Sequence, residues 1–115
     1  MRYLLLIYSE ETTTAPEPAE AEKVMNEYWA YTSAINEAGV NQGGEALQDS
    51  STATTVRFKG DERIVTDGPF AETREVLGGY YLIDVPDLDA AIEWAAKCPG
   101  ARYGSVEVRP IMEFN

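Results

Sequence analysis

The sequence contains no histidine, a single cysteine, nine Lys and Arg against twenty Asp and Glu, and no long apolar run. Without histidine, this chain alone cannot build a Ser-His-Asp triad, a His-ligated haem or zinc site, or an imidazole acid–base step. One cysteine excludes an intrachain disulfide and a multi-cysteine metal cluster. The formal net charge of −11 and a pI near 4.3 argue against duplex nucleic acid or an anionic membrane as partner, because phosphate affinity comes from Lys and Arg. The apolar run at the start, Tyr3–Tyr8, has six residues and is followed by Ser9-Glu10-Glu11. A signal peptide needs an apolar region of about 7–15 residues and a small-residue cleavage site, and a membrane-spanning helix needs about 20 residues. The expectation is a cytoplasmic protein, for which one unpaired thiol suits a reducing compartment. No cofactor and no metal are implied.

What is present suffices for one domain. A chain of 115 residues and 12.7 kDa folds to a surface of about 6,200 Å² from about 18,000 Å² unfolded, so roughly two thirds of its surface leaves water. Charge is uneven along it. Residues 1–50 carry nine acids and two bases, residues 51–75 five and four, and residues 76–115 six and three. The arginines of the nearly neutral middle and of the last strand are therefore the first places to look for an anion site. Thr12-Thr13-Thr14-Ala15-Pro16-Glu17-Pro18 reads as a loop feeding a helix.

Tyr3–Tyr8 is too short for a typical helix and is apolar at every position, which suits a strand buried on both faces. Pro18 to Ala38 places Met25, Tyr28, Trp29, Thr32 and Ile35 at helical spacing, with Glu17, Glu20 and Glu22 where the helix dipole favours negative charge and Gly39 as terminator. Val40–Leu47 reads as a weak strand. Thr54–Phe58 and Arg63–Thr66, joined by Lys59-Gly60-Asp61-Glu62, read as a β-hairpin. Tyr80–Val85 is a further strand closed by Pro86. Asp87 caps a second helix whose stripe is Leu88, Ala91, Ile92 and Ala95 and whose end is marked by Lys97, Pro99 and Gly100. Ser105–Arg109 is the last strand, with Pro110 tolerated at its end.

The order strand, helix, strands with a hairpin, strand, helix, strand predicts an α+β fold, a ferredoxin-like sandwich with an inserted β-hairpin. Such a sheet has helices on one face only, yet the first strand has Tyr3, Leu5 and Ile7 on one face and Leu4, Leu6 and Tyr8 on the other. Leaving three such side chains in water forgoes roughly 1.5–3 kcal/mol each. The simplest second layer is another copy, sheet face against sheet face; the alternative is that the hairpin covers this strand's second face.

The most distinctive string is Asp67-Gly68-Pro69-Phe70-Ala71-Glu72-Thr73-Arg74-Glu75. Asp-Gly-Pro is turn chemistry, and the functional reading makes Asp67 an acceptor or general base at a cleft edge, with Glu72 and Arg74 near it. Glu107 and Arg109 share one face of the last strand while Val106 and Val108 take the other. They read either as an ion pair that fixes the sheet or dimer, or as a site where Arg109, with Arg57 or Arg74, grips a carboxylate or phosphate. Trp94 and Cys98, four residues apart on the second helix, can touch, and the cysteine reads as a small core hydrophobe. Tyr80 or Tyr8 can present a hydroxyl to a pocket. Gly43-Gly44 and Gly78-Gly79 lack the lysine and the strand-to-helix context of a phosphate loop.

These strings, with Thr54-Thr55-Val56-Arg57, Gly78-Gly79-Tyr80-Tyr81, Glu93–Pro99 and Gly104–Pro110, resemble the YCII-related proteins of the DGPF-domain branch over nearly the whole chain. The resemblance implies a dimeric α+β barrel made of two ferredoxin-like sheets, in small bacterial proteins of unsettled role, some encoded beside extracytoplasmic-function sigma factors. It also implies a pocket with a His/Asp pair in the better-studied relatives. With no histidine here, Asp67 is the one position carried over. Three readings compete: a small-molecule-binding protein or cofactor-independent enzyme with a pocket between sheet and partner subunit, lined by Asp67, Arg57, Arg74, Glu107, Arg109 and Tyr80 and open to an anionic ligand; a regulatory module associated with a sigma factor; or a dimer without chemistry of its own.

Overall fold

The structure is a computed structural model and describes residues 1–10, 16–69 and 74–114. In chain order it runs β1 (Arg2–Glu10), α1 (Pro18–Glu37), β2 (Asn41–Ala46), a single 3₁₀ turn (Ser50–Thr52), β3 (Thr54–Lys59), β4 (Glu62–Asp67), β5 (Glu75–Asp84), α2 (Leu88–Lys97), α3 (Gly100–Tyr103) and β6 (Ser105–Pro110). Four strands form an antiparallel sheet in the order β2-β5-β1-β6, and β3 and β4 form a two-stranded sheet of their own. The fold is α+β with antiparallel sheets and three helices.

β1 is central because both its faces are apolar. Tyr3 and Leu5 are buried with Ile83, Val85, Ala91 and Ala95. Ile7 packs against a second cluster of Tyr31, Ile35 and Cys98, which joins α1 to the same sheet face. Each large side chain buried here contributes about 1.5–3 kcal/mol. The other face of β1, Leu4, Leu6 and Tyr8, is only half-buried. The whole molecule is 18 Å thick, room for a sheet and one helix layer at about 10 Å spacing. The hairpin therefore lies beside the sheet and not across it, so the covered-by-hairpin alternative does not hold.

α1 begins with Pro18 in its first turn, where a missing N–H costs nothing. It ends at Gly39, whose φ of 72° takes the left-handed conformation that closes a helix. Its predicted core stripe is corrected on one side. Tyr28, Thr32 and Ile35 face inward, but Met25 and Trp29 are 55% and 64% exposed. Trp29 lies about 120° around the axis from Ile35 at 100° per residue, and Tyr31 takes its place, donating its hydroxyl to the Trp94 carbonyl at 2.9 Å.

In α2 the Asp87 carboxylate accepts from the Ala90 N–H at 2.9 Å, the expected cap. Its buried residues are Ala91 and Ala95, whose small side chains let the helix approach the sheet closely, while Leu88 and Ile92 stay about half exposed. α2 ends at Lys97, as Lys97, Pro99 and Gly100 predicted, and a separate short helix, α3, follows at Gly100. Gly100 is needed there because a Cβ would come within 2.6 Å of Ile7 Cγ2 and 2.9 Å of the Tyr28 hydroxyl. β5 also starts five residues earlier than predicted. Pairing with β1 carries it through the two glycines to Glu75, with a bulge where Tyr8 pairs Leu77 and Ile7 pairs Gly79.

Candidate functional site

The pleat decides what the open sheet face presents. Val106 and Val108 pack toward the helices, so Glu107 and Arg109 point the other way, with Leu4, Leu6 and Tyr8. The register aligns Glu107, Leu6, Tyr80 and Glu45 in one row across four strands, and Arg109, Leu4, Leu82 and Gly43 in the next. Three of the predicted residues, Tyr80, Glu107 and Arg109, are thus on one face. Arg109 Nη2 lies 2.5 Å from Glu107 Oε2. That oxygen is shielded from water yet lacks hydrogen-bond geometry, so the contact is an ion pair and neutralises both charges locally.

The remaining candidates lie elsewhere. In the hairpin, Thr54 pairs Asp67, Val56 pairs Val65 and Phe58 pairs Arg63, which puts these six on one face. Arg57 pairs Ile64 and faces the opposite side. Asp67 and Arg57 therefore cannot line one pocket within a protomer. Asp67 ends β4, exposed, and among the described residues its side chain has no hydrogen bond or ion pair. The turn work is done by the backbone instead: Gly68, at φ 101°, donates to the Ala53 carbonyl at 2.7 Å and accepts from the Thr55 hydroxyl at 2.8 Å. Arg74, 92% exposed, stands 3.9 Å from Glu10. Phe70 to Thr73, including Glu72, lie outside the described residues, as do Glu11 to Ala15.

A cleft of about 420 Å³ opens at the end of the open sheet face. Its lining comes from Tyr8, Glu75, Val76 and Leu77 of β1 and β5, from Leu47, Gln48, Asp49, Ser50 and Thr52 after β2, and from Ala53 and Pro69 at the hairpin root. The sequence reading missed the Leu47–Ala53 wall, although Asp49-Ser50-Ser51-Thr52 carries the signal of a side-chain-bonded turn. The Ser51 hydroxyl donates to Asp49 Oδ2 at 2.6 Å and the Thr52 hydroxyl to the Asp49 carbonyl at 2.7 Å. The Ser51 hydrogen bonds hold the Asp49 carboxyl below its usual range, so it is an acceptor. Glu75 accepts from the Ser105 hydroxyl at 3.3 Å. Among the described residues two carboxylates and no Lys or Arg line the cleft, which gives an anionic ligand no cationic partner there.

Away from the cleft, burial raises the Cys98 thiol and the Tyr31, Tyr28 and Tyr81 hydroxyls above their ordinary ranges. The Lys97 ammonium, 4.9 Å from the centre of the Trp94 ring, is engaged there by cation–π attraction. Cys98 is thus a packed, protonated core residue. Among the described residues no helix is long and apolar enough to cross a membrane.

The comparisons agree with this architecture. An uncharacterized protein of Rhizobium meliloti (strain 1021) is 41% identical over 114 residues, covering 96% of this chain and 92% of that protein. Among solved structures, the chain is similar to 5-chloro-2-hydroxyhydroquinone dehydrochlorinase from Burkholderia phenoliruptrix AC1100, in complex with 2,5-dihydroxybenzoquinone. The TM-score is 0.52 at 11% identity, over 99% of this chain and 96% of that one; at that identity the likeness is one of fold. The family model described as the YCII-related domain matches residues 1–115, and the chain belongs to that family.

Proposed function

We propose that this protein is a small-molecule-binding homodimer, and that the cleft at the end of its open sheet face takes an uncharged or cationic hydroxylated ring compound. The observation that carries this reading is the lining. Apolar side chains of Leu47, Leu77 and Pro69 suit a ring, Tyr8 brings a hydroxyl, and the Asp49 carboxylate accepts from a ligand hydroxyl or amine. The cleft also opens beside Leu4, Leu6, Tyr80 and Leu82 of the sheet face. A second copy packed there, ferredoxin-like sheet on ferredoxin-like sheet, makes an α+β barrel and closes the cleft from above. The similar fold named above holds 2,5-dihydroxybenzoquinone, which supports a single-ring ligand by size alone, because that quinone is a vinylogous acid and is anionic at neutral pH.

Saturation-transfer NMR with hydroquinone, a phenolic amine and benzoate tests the reading. The first two are expected to show transfer and benzoate none, and Leu77→Arg, which fills the cleft from a position already 36% exposed, abolishes it while the circular dichroism is unchanged. Equal transfer to all three, none to any, or transfer that survives Leu77→Arg overturns it.

A further inference from the structure

We infer that the apolar face of the β3–β4 hairpin docks against the same face of a second copy of this chain, about a two-fold axis that passes near Val56 and Val65. The inference extends the homodimer proposed above by a second contact and also bears on the cleft.

The hairpin's isolation is the first observation. A lone two-stranded hairpin is at best marginally stable in water, and this one forms no strand pairing outside itself. Its faces differ sharply. One presents Thr55, Arg57, Lys59, Glu62, Ile64 and Thr66; the other presents Val56, Phe58 and Val65, exposed by 57%, 66% and 57%. The protomer as a whole exposes 8537 Å², against about 6,200 Å² for a compact monomer of this mass. Its radius of gyration is 16.2 Å, against about 13 Å for a compact chain of this length. The shape is that of a subunit missing its neighbour.

Charge identifies the occupant as another copy. Along the apolar face the ribbon reads Thr54 and Asp67 at the root, Val56 and Val65 in the middle, Phe58 and Arg63 near the tip. Rotation by a two-fold through the middle pair sets Arg63 of each copy over Asp67 of the other and Phe58 over Thr54. An isologous contact must be self-complementary in this manner. Among the described residues neither Asp67 nor Arg63 has an ion-pair partner within the protomer. Asp67, the residue singled out in the Asp-Gly-Pro string, thereby has a role in assembly. Because Ala53 and Pro69 at the hairpin root line the cleft, docking the hairpin also steadies one cleft wall.

Sedimentation equilibrium over a concentration series, with Asp67→Arg, Arg63→Asp and the double charge swap, tests the contact on exposed residues that the fold does not require. Each single variant creates two symmetric repulsions and is expected to weaken association at least fivefold. The double swap restores it to within about threefold of wild type. Hydrogen exchange of the β3–β4 amides slows with concentration in the wild type and the double swap only. Singles that associate as wild type does, or a double swap no better than the singles, overturn the inference. If Leu6→Glu abolishes association while the hairpin variants are silent, the hairpin contact fails and the sheet-face dimer stands; the reverse pattern refutes the sheet face alone.

Discussion

Leu6→Glu is the most direct perturbation of the open sheet face. Leu6 sits half-buried in the row Glu107–Leu6–Tyr80–Glu45, pointing away from the helices. A glutamate there loses the burial of a leucine in each copy of a dimer, about 1.5–3 kcal/mol per side. Over the two copies this weakens dimerisation by about 3–6 kcal/mol, or roughly 10²–10⁴-fold in dissociation constant. The new carboxylate also stands about 5 Å from Glu107 of its own chain, an effect on the monomer that the Arg109 pair offsets. The monomer keeps its fold, since the buried cluster of Tyr3, Leu5, Ile83 and Val85 lies on the other face. Sedimentation equilibrium is expected to give twice 12.7 kDa for the wild type at micromolar concentration and 12.7 kDa for the variant, with matching far-ultraviolet circular dichroism. A wild type that stays at 12.7 kDa, or a variant that associates equally well, refutes the reasoning.

Two further outcomes test the packing. At Gly104 an added Cβ falls on the Tyr8 carbonyl oxygen and 3.0 Å from Ser9 Cα, both backbone, whereas at Gly78 the nearest atom is 3.9 Å away. Urea denaturation is therefore expected to show Gly104→Ala destabilised by about 2–3 kcal/mol and Gly78→Ala within about 0.5 kcal/mol of wild type; equal losses count against the close approach of α3 and β1. The second outcome concerns alkaline pH. Burial raises Cys98, Tyr31 and Tyr28 in the folded state, while the unfolded chain ionises at about 8.5 for the thiol and about 10 for the phenols. The native state binds more protons above those values, so stability is level from pH 7 to 8 and falls as pH rises past about 8.5. Cys98→Ala removes the earlier part of the fall, and a urea midpoint independent of pH up to 10.5 defeats the assignment.

Much of the fold was legible because it depends on local rules. Six apolar residues in a row mark β1 as a strand, Asp87 at the start of an amphipathic stretch caps α2, and two β-rich runs around Gly60 make the hairpin. Strand parity in the last strand correctly separated Val106 and Val108 from Glu107 and Arg109. The same parity, applied across the hairpin, would have separated Asp67 from Arg57, but it needs the register, and a register is a non-local fact. Met25 and Trp29 show the complementary error. Helical spacing admits them to the apolar stripe, and only the direction from which the sheet meets α1 leaves them in water. The cleft was illegible for the same reason, since Leu47–Ala53, Pro69 and Leu77 are distant in sequence and meet through the bulge in β5 and the hairpin root. What the sequence alone determined is the set of elements, their caps and an apolar face too many on β1, because these follow from patterns within a few residues. What only the tertiary structure decided is which charged residues share a surface and where a cavity forms, because pairing register and helix orientation are set by the packing of the whole chain.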